Sequence, residues 1–209
     1  MKDFSVSMAL VDYIPVIFFA IGGVILLRDL YNKMSKGAFA LFSAGIIDVF
    51  FAGFLKATYK LLYALGVCDF EALSNMFFPV QSIGFLLCGL GILAMLTHKQ
   101  QATLAVAPPF FSGTFVFVAL MVSGLGLLDV CLMILASKLR RKWLIILLVL
   151  SFVCCLGMGY LSSKDFAEAS MNWIAEGVNV VGQGLFMLSA LLMSKAGLKD
   201  LKLRCGENA

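Results

Sequence analysis

The chain has 209 residues, 62% of them hydrophobic and only 13% charged, with a mean hydropathy of +1.01. A soluble domain carries about 25% charged residues, so this composition excludes a soluble protein and predicts a polytopic membrane protein with no room for a second domain. The net charge of +4 is dispersed over short connections between apolar runs instead of gathered on one folded face, which excludes nucleic-acid binding.

In chain order, Lys2 is followed at once by Asp3 and no A-x-A-like site is clear, so no cleavable signal peptide is expected. Val11 to Leu27 is the first predicted span, with Pro15 tolerated near its start because the first N–H groups of a helix lack intrahelical partners. Ala38 to Leu65 is the second, and Lys56 and Lys60 in its last third are expected to snorkel to one headgroup layer. The third runs from Asn75 to Leu96. Pro108 and Pro109 then block a continuous helix through the longest connection, Thr97 to Gly113. Thr114 to Ser137, Leu144 to Leu161 and Ser170 to Met193 complete six predicted transmembrane helices of an all-α integral membrane protein.

The two halves of this series, residues 8–99 and 113–196, resemble one another. Each has two apolar runs joined by a basic turn, then a turn containing Asp-Phe (Asp69, Phe70 and Asp165, Phe166), then a third run. That run holds Gln81 and Gly84 in one half and Asn179 and Gly182 in the other. The match needs gaps, so a three-helix duplication and two unrelated halves both stay open. With six spans, a duplication of this kind places the second copy upside down as an inverted repeat. The same count puts eleven lysines and arginines on the side of the two termini and five on the other, so both termini are expected to be cytoplasmic. The first connection argues the other way. A seven-crossing alternative, in which Leu104 to Val116 itself crosses or re-enters, would point both halves the same way.

Polar residues inside these runs are the candidate site. At 100° per residue, Asn172, Glu176, Asn179 and Gln183 fall within about 60° of one another, a polar stripe that hydrocarbon cannot receive. Asp48 lies ten residues into its span, about 15 Å of helix, where a carboxylate is expected to face inward, paired or protonated. Asp129 follows the small residues Ser123, Gly124 and Gly126, and packing with one interhelical hydrogen bond competes with a functional role there. For Glu176, close to its helix start, an interfacial and solvated position is the alternative.

The cysteines have no C-x-x-C spacing and read as small hydrophobes. There is no P-loop, H-E-x-x-H or G-x-S-x-G, and a single histidine excludes bis-histidine haem. An enzyme is therefore disfavoured, and neither a metal nor a cofactor is expected.

The leading expectation is a substrate-binding or transport protein for a small molecule or ion, working in the lipid bilayer as a homo-oligomer or with a partner membrane subunit. Its cavity is expected to be lined by Asp48, Asn179 and Gln183, with Asp129, Glu176 and Asn172 as further candidates, the carboxylates binding a cation or exchanging a proton. The rival is a non-transporting subunit, such as a scaffold, sensor or immunity component, whose buried polar residues only specify helix packing.

Overall fold

The structure, a computed structural model, describes residues 5–97, 114–161 and 169–202, and their side chains apart from those at 114, 115, 159, 160 and 169. Among these residues all regular structure is helical. Ser5 caps α1 (Val6–Val11) by accepting from the Met8 N–H at 3.2 Å. The chain is interrupted at Asp12 before α2 (Tyr13–Leu30) because Pro15 offers no N–H to the Val11 carbonyl and its ring crowds that oxygen. The same device separates α4 (Ala72–Asn75) from α5 (Phe77–Thr97), where Pro79 faces the carbonyl of Asn75.

Between them lies α3 (Lys36–Ala64), capped by Ser35 and ended by Gly66, whose φ of 67° suits a residue without Cβ. The second half comprises α6 (Thr114–Lys138), α7 (Leu144–Leu161) and α8 (Ala169–Lys195).

Five stretches are long and apolar enough to cross a membrane, from Val6–Lys33 to Ser170–Lys195, and α7 is a shorter apolar helix. Ile17, Val24, Ile47, Ile146, Val153 and Val181 are exposed on the outside of the bundle, an arrangement that suits lipid and not water. The protein is an all-α membrane protein, and the helix boundaries lie close to those read from periodicity and breaker residues.

The six long helices close into a ring in the order α2, α3, α5, α6, α7, α8 and back to α2. Their directions follow from which residues meet. Against α3, α2 is antiparallel: Tyr13 hydrogen-bonds Thr58 at 2.9 Å, while Gly23 faces Ile46. Likewise α3 and α5 are antiparallel, with Gly45 against Gly84 and Cys88, and Gly91 against Phe42. In the second half Ser151 donates to the Gly182 carbonyl at 2.9 Å and Gly157 faces Val178, so α7 and α8 are antiparallel.

The closing pair differs. Phe19 stacks on Phe186 at 5.4 Å between ring centroids, Gly22 faces Met187, Arg28 donates to Ser194 at 2.9 Å, and Lys33 donates to the Lys199 carbonyl at 2.6 Å. Both numberings rise together, so α2 and α8 are parallel. It follows around the ring that α5 and α6 are parallel too.

This corrects two expectations. The start of α1 and the end of α8 lie at opposite ends of the bundle, not at the same end. The matching helices of the two halves also run the same way, so the halves are not inverted relative to one another. Consequently the chain leaves α5 at Thr97 at one end and enters α6 at Thr114 at the other. The alternative seventh crossing, Leu104 to Val116, falls almost wholly in 98–113, and the Asp-Phe turn at 165 and 166 also lies outside the described residues.

Close approach at these seams depends on missing side chains. A Cβ on Gly45 would stand 2.5 Å from the Gly84 carbonyl oxygen and 2.6 Å from the Cys88 nitrogen, and one on Gly124 would stand 2.5 Å from the Leu86 nitrogen. Backbone atoms cannot give way as a flexible side chain can. Gly45→Ala should therefore lower thermal stability in detergent, at a cost of about 1–3 kcal/mol. Gly37→Ala, where nothing lies within 4 Å, should leave the melting temperature unchanged or raise it.

Candidate functional site

A cavity with about 90 Å³ of space open to water-sized molecules lies inside the ring. That is room for about half a dozen waters or one small organic molecule. All six long helices line it: Phe19 from α2, Gly53 and Lys56 from α3, Gln81 from α5, Met121 from α6, Cys155 from α7, and Asn179 and Gln183 from α8. The lining comes from the N-terminal halves of α2, α5 and α6, the C-terminal half of α7, the middle and C-terminal part of α3 and the middle of α8, so the cavity lies from mid-depth toward one end of the bundle.

At the other end the interior is closed by apolar side chains. Leu30, Phe42, Met95, Leu135, Leu144 and Met193, one from each helix of the ring, are each at most 3% exposed. A half-open, half-sealed bundle is the result.

Three ionic side chains converge at the open end. Lys60 on α3 reaches Asp12 at 2.6 Å and Glu176 on α8 at 2.8 Å, with all three residues no more than 6% exposed. Asp12 sits at the interruption before α2, so this cluster ties the first, second and last spans together. Lys60 does not snorkel. Its ammonium is held among carboxylates whose own desolvation makes leaving it expensive. Lys56, one turn earlier on the same face, lines the cavity and lies 4.0 Å from the centroid of the Phe77 ring.

The sequence-predicted residues divide. Asn179 and Gln183 line the cavity, and the Gln183 amide points at Cys155 Sγ, 3.8 Å away. Glu176 faces inward to Lys60 and is not solvated, and Asn172 is buried one turn before it.

Asp48 and Asp129 are not in the cavity lining. Asp48 stands at the α3–α5 seam, its Cβ 3.0 Å from where a Cβ on Gly84 would be. Asp129 is 2% exposed, and neither carboxyl oxygen has a hydrogen-bond partner among the described residues, so the expected interhelical hydrogen bond is not formed there. The stripe of α8 thus serves two purposes, with Glu176 paired and the two amides facing the cavity. No group of three or more metal-ligating side chains occurs among the described residues.

Sequence reasoning missed Asp12 and Lys60 as partners of Glu176, and Lys56, Gln81 and Cys155 as wall residues. Gln81 had a signal, because it matches Asn179 in the comparison of the two halves. Against known proteins, the chain matches no family model, no curated protein and no solved structure. Its function has to be read from this geometry.

Lys60→Met leaves two buried carboxylates without their cation and should cost about 3–5 kcal/mol of stability. The triple change Asp12→Asn, Lys60→Met and Glu176→Gln should recover most of that loss in the same thermal melt. Asp129→Leu removes a buried acid that has no partner and should raise the melting temperature, the gain being about 1–3 kcal/mol.

Proposed function

We propose that the chain is a membrane transport or substrate-binding protein for a small molecule, built from two three-helix repeats that run in the same direction. The observation that carries this reading is the cavity walled by all six long helices at one end of the bundle and sealed by apolar side chains at the other. A bundle held together only for packing has no need of a lining of amides and an ammonium, each of which costs desolvation in a bilayer. The half-sealed form corresponds to one state of an alternating-access cycle, in which the seal opens as the cavity closes.

Charge supports the orientation. Of the twelve lysines and arginines among the described residues, ten lie toward the sealed end, and the two at the open end are Lys56 and Lys60. The sealed end is therefore the cytoplasmic one. In this orientation α1 begins on the outside, α8 ends on the inside, and the chain is multi-pass. Thr97 and Thr114 then stand at opposite faces of the bilayer.

The seams support the duplication. Gly84 packs on α3 as Gly182 packs on α7, and Gly22 packs on α8 as Gly124 packs on α5. Gln81 and Asn179 line the cavity from matching helices. Shifting α2 onto α6 by 102 residues also superposes five buried positions: Gly22 on Gly124, Gly23 on Leu125, Leu26 on Leu128, Asp29 on Cys131, and Leu30 on Leu132. This is the arrangement of parallel repeats about an axis along the membrane normal. The two seams between the halves, α2 with α8 and α5 with α6, are where one half rocks on the other.

Thiol labelling from either side of the membrane, on a chain freed of native cysteines, tests the reading. Asn179→Cys should react with an impermeant reagent from outside, and Met193→Cys should react slowly from the cytoplasmic side as the seal opens. If Asn179→Cys reacts and Met193→Cys stays inert from both sides, the protein is a non-transporting subunit.

A further inference from the structure

We infer that the ligand of this cavity is a small organic monoanion, a carboxylate on an apolar or aromatic body; the inference rests on the cavity being the ligand site proposed above. Among the described residues Lys56 is the one cationic side chain lining the cavity, and no carboxylate stands in that lining. No ion pair within 4 Å is formed by its ammonium among the described residues, and what it faces is the Phe77 ring. The nearby acids, Asp12 and Glu176, are both engaged by Lys60, while Asp48 and Asp129 are outside the lining. The ammonium feels the nearby charges of Lys60, Asp12 and Glu176 but is ion-paired by none of them within 4 Å, so an anion inside the cavity becomes its closest counter-charge, in a medium where that attraction is stronger than in water.

The remaining walls define the rest of the ligand. Gln81, Asn179 and Gln183 supply amide N–H donors, and the Gln183 amide meets only the weak acceptor Cys155 Sγ at 3.8 Å. Phe19, Phe50, Phe78 and Phe85 offer ring surface to an apolar body. A single lysine neutralises one charge, so phosphate esters and dicarboxylates are left with an unpaired charge in the cavity. A cationic ligand would be repelled by Lys56. The carboxylates assigned to ligand binding from the sequence thus give way to a lysine as the charged contact.

Titration calorimetry on the purified full-length chain, with benzoate, hexanoate, benzamide and benzylammonium as probes, tests this. The two carboxylates should bind at least about tenfold more tightly than benzamide, and benzylammonium should not bind. Lys56→Gln should erase that preference and Lys56→Arg should keep most of it. The selectivity series on the native chain decides the matter even where Lys56→Gln lowers stability. Benzamide or benzylammonium binding as tightly as benzoate, undiminished benzoate binding in Lys56→Gln, or no binding of any probe in the millimolar range overturns the inference. Equal binding of benzamide and benzoate would leave the cavity a ligand site without charge preference. Anion-selective binding with an inert Met193→Cys would instead sink transport and leave the anion site standing.

Discussion

The parallel contact between α2 and α8 is the constraint on which the rest of the structure depends. The Phe19 ring stacked on Phe186 and the Met187 backbone against Gly22 close the ring of helices, and they do so with the first and last spans pointing the same way. Every other neighbouring pair joined by a short turn is antiparallel, so this one contact fixes the sense of the whole second half. It also brings the amides of α8 to the level of Lys56 and Gln81.

The ion cluster completes that contact at a cost in desolvation. Burying Lys60 with Asp12 and Glu176 returns little net stability compared with an apolar substitute, but losing one member is expensive. Such a cluster specifies register more than it adds stability, and here it specifies that the N-terminus of α8 meets the interruption between α1 and α2 and the C-terminal part of α3. The interruption arises from Pro15, so a backbone feature and a charge feature act at one level of the bundle. No equivalent ion pair joins α5 to α6 among the described residues, where glycines at 89 and 124 allow close backbone contact instead.

The helices and the membrane class were legible in the sequence because both depend on local properties, apolar run length and breaker residues. Helix direction was not, because it turns on a connection of sixteen residues that is too short and too interrupted by Pro108 and Pro109 to register as a span. The site was half legible. Angular periodicity shows that Glu176, Asn179 and Gln183 share a face, and they do, but it cannot say which neighbour that face meets. Asp48 was misplaced for that reason: a polar residue at mid-depth was assigned to the centre, and it lies at a seam. Lys60 was misread because snorkelling explains a lysine near a helix end equally well when no partner is in view. Under the parallel arrangement Asp12, Lys60 and Glu176 all fall at one depth, a coincidence visible only once directions are known.

The depth of Lys56 also sets the energetics of any anion it holds. In the proposed orientation, a single negative charge carried across the whole bilayer to the basic end moves against an inside-negative membrane potential, at about 2.3 kcal/mol for each 100 mV. On the proposed transport reading, accumulation inside the cell therefore requires a cation or proton to travel with the anion, whereas release to the outside is driven by the voltage itself.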